Sequence, residues 1–154
     1  MSAIRFDKSL IKYFSGEMTN TEVLSQMCEH LQSMGIVKDT YKEAILKREK
    51  IYPTGLDCKG INIAIPHADI QNVNEAAICV GVLKSPVLFN IMDEPDNTVE
   101  INLVIMLALT EAHGHIDILN KIVNLIQNQD ELRAILKSEN VEDIENLIKS
   151  RILN

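Results

Sequence analysis

The hydrophobic pattern changes period along the chain. Val23, Met27, Leu31 and Met34 recur at helical spacing behind a Thr19-to-Glu22 capping box, and Gly35 stops the run. A second Thr-x-x-Glu pattern, Thr40 to Glu43, predicts a helix through "YKEAILKREK" that Pro53 terminates. "PTGLDCKG" reads as a loop. The period then shortens: "INIAI" (61–65), "AAICVGVLK" (76–84) and "VEINLVIMLAL" (99–109) are rich in β-branched residues and predict strands. The last two are almost continuously apolar, as strands covered on both faces are. "SPVLFNIMDEPDN" between them reads as a short edge strand and a polar turn. Ile116, Leu119, Ile122, Val123 and Ile126 mark an amphipathic helix, followed by two shorter helices capped by Asp130 and Asn140. Two helices, a block of strands and three more helices predict an α/β fold, a central mixed sheet with helices on both faces.

Composition sharpens this picture. The 154 residues suit one domain spanning 1–154, and 46% hydrophobic with 24% charged residues is an ordinary globular balance. A formal charge of −7 with no basic stripe argues against nucleic acid. Cys28, Cys58 and Cys79 form no C-x-x-C and read as reduced thiols in a cytoplasmic protein. "MSAIRFDKSL" has no apolar core of a secretory signal, and the apolar stretch 103–109 is too short to span a bilayer, so direct membrane insertion is not expected.

Four histidines are candidates for chemistry. His30 falls within the first helix and reads as a packing or surface residue. His67 leaves a strand directly after Pro66, which removes a backbone donor and fixes φ. Strand C-terminal ends are where α/β folds place ligands, although such a histidine can equally be a plain turn residue. His113 and His115 lie between a buried strand and a helix start, where free N–H groups suit an anion; helix capping is the competing role. Arg48 ends a helix, where a cation also complements the dipole, and Thr54-Gly55 offers a hydroxyl in the next loop.

These parts match phosphoryl chemistry. A neutral imidazole is a nucleophile toward phosphorus, and an Arg fork, a second imidazole and a hydroxyl would hold the charged oxygens. No G-x-x-x-x-G-K-[ST] or kinase signature is present, so the donor would be another protein and no cofactor is implied. Two other readings stay open: a zinc hydrolase using His67-x-Asp69 and His113-x-His115, and a regulatory domain that only accepts phosphate.

Taken together, "REKIYPTGL", "GINIAIPHAD", "LKSPVLFNIMDEP" and "LVIMLALTEAHGHIDILNKI" resemble the fructose/mannitol-type enzyme IIA of the bacterial phosphoenolpyruvate-dependent sugar phosphotransferase system. "YPTGL", "AIPHAD" and "PVLFNIMDE" are most similar to its galactitol-type branch, with Asp93 standing where that branch has Gly. The resemblance implies that His67 is the phosphoacceptor and that His115, rather than His113, is the second active-site histidine. It implies that Arg48 and Thr54 bind the phosphoryl oxygens and that no metal takes part. The implied partners are phospho-HPr, enzyme IIB and, downstream in the membrane, enzyme IIC. His67 would then lie in a shallow depression ringed by apolar side chains, open to both protein partners.

Overall fold

The computed structural model describes residues 4–111 and 114–153, with only the backbone of Gly114 and His115 described. Among these residues, β1 (Ile11–Phe14), β2 (Gly55–Leu56), β3 (Ile63–Ala64), β4 (Ala77–Asn90) and β5 (Thr98–Ala108) form one sheet in the order β1-β4-β5-β3-β2. The pairings β1–β4 and β3–β5 are parallel, and β4–β5 and β2–β3 are antiparallel. The predicted mixed sheet with helices on both faces is therefore present. Its helices are α1 (Asn20–Ser33), α2 (Tyr41–Ile51), α3 (Gly114–Ile126), α4 (Gln129–Ser138) and α5 (Val141–Arg151).

The central pair explains the long apolar runs. Seven consecutive residues at the start of β4, and the last six of β5, are buried. Side chains on both sheet faces thus leave water, which supplies the main driving force for folding. Helix α1 starts as the capping box predicts: Glu22 N–H donates to Thr19 Oγ1 (3.2 Å) and Thr19 N–H to Glu22 Oε1 (3.0 Å). Val23, Leu24, Met27, Cys28 and Leu31 form its buried stripe.

Several local expectations are corrected. The Thr40 box does not form, because Thr40 already has helical angles and makes no side-chain cap. "SPVLFN" is no separate edge strand: it continues β4 through a register shift between Val82 and Val87 and still pairs with β5. Only Ile63–Ala64 of "INIAI" joins the ladder, and β3 lies one strand in from the edge. Asn128, not Asp130, precedes α4, and Asp130 instead pairs with Arg133 at 3.1 Å. The hydrophobic pattern gave no sign of β1, which pairs along β4 at the sheet edge. Asn140 caps α5 as expected, accepting from Glu142 N–H at 2.9 Å.

Candidate functional site

The strands β3 and β5 run parallel, so the residues leaving their C-terminal ends emerge at one edge of the sheet. Just beyond β3, Leu107 N–H donates to Pro66 C=O (2.9 Å), which ties the "IPH" segment to β5. His67 itself bridges Leu107. The carbonyl of that leucine accepts the buried Tyr41 hydroxyl at 2.7 Å, and burial holds the Tyr41 phenol well above its usual range. The floor under His67 is thus pinned from two sides.

The half-buried His67 ring has a defined orientation. Its Nδ1 lies 2.9 Å from the Ile65 carbonyl oxygen. A carbonyl only accepts, so Nδ1 carries the hydrogen and the lone pair of the neutral ring is on Nε2. Arg48 comes from the last turn of α2. Its guanidinium carbon stands 5.4 Å from the centre of the Tyr52 ring, and its buried Nε has no hydrogen-bond partner among the described residues. A depression of about 270 Å³ is lined by Lys47, Arg48, Ile51 and Tyr52 from the end of α2 and by Ala68 and Asp69, the two residues that follow His67 in the chain. Ile51 and Tyr52 are 57% and 62% exposed, which gives the site an apolar shoulder next to two cations.

Thr54 has a different setting. It is 2% exposed, and its hydroxyl donates to Glu49 Oε1 (2.7 Å) while its N–H donates to Glu49 Oε2 (2.9 Å). The single hydroxyl hydrogen is therefore committed away from His67. Glu49 was not singled out in the sequence, although a signal was there: an acid in the last turn of a helix opposes the dipole and needs local donors. Burial pushes its carboxyl above the ordinary range, while the two Thr54 donors and Arg48 pull it back.

On the other strand exit, α3 begins at Gly114, which places His115 in its first turn, where N–H groups and the positive dipole end favour an anion. The side chain of His115 lies outside the described residues, as does all of His113. His30 contacts the Ser9 carbonyl at 2.6 Å, a packing role away from this edge. Among the described residues no group of three metal-binding side chains converges, and no helix is long and apolar enough to cross a membrane.

Comparison with known proteins follows the same lines. The family profile described as "Phosphoenolpyruvate-dependent sugar phosphotransferase system, EIIA 2" matches residues 5–151. The galactitol-specific EIIA component of Escherichia coli K12 is 28% identical over 116 residues, covering 75% of this chain and 77% of that one. The mannitol-specific EIICBA component of Buchnera aphidicola is 30% identical over 136 residues, 85% of this chain but only 20% of the relative's length. Among solved structures, mannitol enzyme IIA in its complex with phosphorylated enzyme IIB from Escherichia coli superposes with a TM-score of 0.78 at 21% identity, covering 96% of this chain and 99% of that one. At that identity the likeness is one of fold.

Proposed function

We propose that this chain, which belongs to the EIIA 2 family of the phosphoenolpyruvate-dependent sugar phosphotransferase system, carries a phosphoryl group on Nε2 of His67. Members of the family are phosphotransferase components. The observation that carries the reading is the bond between His67 Nδ1 and the Ile65 carbonyl. It leaves the nucleophilic lone pair on the nitrogen that the neutral ring does not use for its hydrogen.

The donor in this reading is phospho-HPr and the acceptor a cysteine of enzyme IIB. In the first transfer the Nε2 lone pair forms the new P–N bond as the P–N bond to HPr breaks and its electron pair returns to the HPr imidazole. In the second, a IIB thiolate forms an S–P bond as the P–N bond at His67 breaks and its electron pair returns to Nε2. The group in flight spreads its charge over three oxygens, so catalysis is positioning plus cationic donors. Arg48, whose buried Nε has no partner among the described residues, is our assignment for one donor; His115, with the first turn of α3, is the second. Thr54 acts from beneath the site. Ile51 and Tyr52 form an apolar shoulder on which a protein partner can seat.

Such a carrier works in the cytoplasm and hands phosphate toward a sugar or sugar alcohol moved by a membrane enzyme IIC. The galactitol-specific relative makes galactitol the first substrate to test. The decisive experiment supplies labelled phosphoenolpyruvate, enzyme I and HPr. Wild type takes up label and His67→Ala takes up none; equal labelling of the two would overturn the assignment.

A further inference from the structure

We propose that Glu49 is a positioning residue for this transfer, holding the His67 ring in its reactive tautomer through Thr54 and the backbone of Ile65; the inference rests on the phosphoryl-carrier reading. An unbroken hydrogen-bond chain connects them. The Glu49 carboxylate accepts both the N–H (2.9 Å) and the hydroxyl (2.7 Å) of Thr54. The Thr54 carbonyl accepts Ile65 N–H at 3.2 Å, continuing the β2–β3 register by one pair. The Ile65 carbonyl in turn accepts His67 Nδ1–H at 2.9 Å. Each bond fixes the group that makes the next.

The chemistry at the head of this chain calls for a carboxylate. Two adjacent hydrogens on one residue, an amide N–H and a hydroxyl, point the same way, and the carboxylate meets each with its own oxygen. An amide offers one acceptor and would aim its own N–H₂ at a donor. Glu49 is also an acid placed where the fold gains little from it: it lies at the negative end of the α2 dipole, and burial disfavours its charge. What the position does supply is geometry. The carboxylate clamps the end of α2 to the Pro53-Thr54-Gly55 strap, so the helix that carries Arg48 and the strand exit that carries His67 keep one spacing. Arg48 and Glu49 are neighbours in sequence, and a single helix turn thereby orients both the cation and the nucleophile.

The test pairs the ring ¹⁵N spectrum of unphosphorylated His67 with the rate of phosphoryl transfer from phospho-HPr. Wild type shows hydrogen on Nδ1. In Thr54→Val and Glu49→Ala the Nε2–H form rises and transfer slows by about ten- to a hundred-fold, the range expected when a reacting group is slightly misplaced. Glu49→Gln preserves the side-chain volume, keeps one of the two bonds and falls between. Thr54→Ser returns the hydroxyl and restores the tautomer lost in Thr54→Val. A folded Glu49→Gln and Thr54→Val that both show the wild-type spectrum and wild-type rate would overturn the proposal. Wild type that takes no label on His67 would instead overturn the carrier reading beneath it, so the two failures look different.

Discussion

The β4–β5 slab and the segment 48–67 hold their shape by different means. In the slab Val80, Val104, Ile105, Met106 and Leu107 are all fully buried, and each packs against apolar neighbours. Its backbone polar groups are paired in a ladder. In the segment, by contrast, the stabilising contacts are single and directional: Glu49 with Thr54, Thr54 with Ile65, Ile65 with His67. The slab depends on filled apolar volume, whichever apolar side chain supplies it, whereas the segment depends on the identity of each polar atom. The proposed phosphoryl chemistry draws on the second region and rests on the rigidity of the first.

The largest stability effect is expected in the slab. Ile105→Ala removes a fully buried side chain and should lower the unfolding free energy by about 2–5 kcal/mol in urea titration, with the His67 tautomer unchanged. A smaller effect comes at the seam between the regions. A Cβ on Gly55 would stand 2.6 Å from the Asn90 carbonyl oxygen, so Gly55→Ala must push the strap from the β4–β5 hairpin. The cost is about 1–3 kcal/mol, the ordinary range for overpacking, and here the His67 spectrum should shift as well. An Ile105→Ala protein with a disturbed His67, or a Gly55→Ala protein with an undisturbed one, would erase the distinction.

A third effect is alkaline. Burial pushes the Cys28 and Cys79 thiols up to about 12 from an ordinary 9.0. A folded-state value above the unfolded one means that stability is fully present below the unfolded value. It is then lost as pH rises from 9.0 toward about 12. Urea midpoints should therefore fall between about pH 8 and about pH 10.5, and Cys79→Ala should flatten that slope while leaving the histidine alone.

How much of this was readable in the chain follows the same division. Apolar period gave the slab, the α1 stripe and the layering, because burial is a property of runs of residues. The predicted capping box at Thr19 formed and the one at Thr40 did not, since the cap depends on the angles of the entering chain and not on the pattern alone. The strand β1 escaped notice because four residues with mixed burial carry little periodic signal, and pairing with β4 decides their state. At the site, His67, Arg48 and Thr54 stood out as residue types at strand and helix ends. The hidden part was Glu49, whose role depends on a turn that folds it back over Pro53 onto Thr54, and on which way the Thr54 hydroxyl points. Those are facts of backbone path, and a linear pattern does not encode them.

The central claim, a phosphoryl group carried on one nitrogen of one histidine, is tested most directly by ³¹P–¹⁵N NMR of protein phosphorylated through enzyme I and HPr. The account predicts a single P–N coupling to Nε2 of His67, with Nδ1 still bearing its hydrogen toward the Ile65 carbonyl. Coupling to Nδ1, or to another histidine, would contradict it.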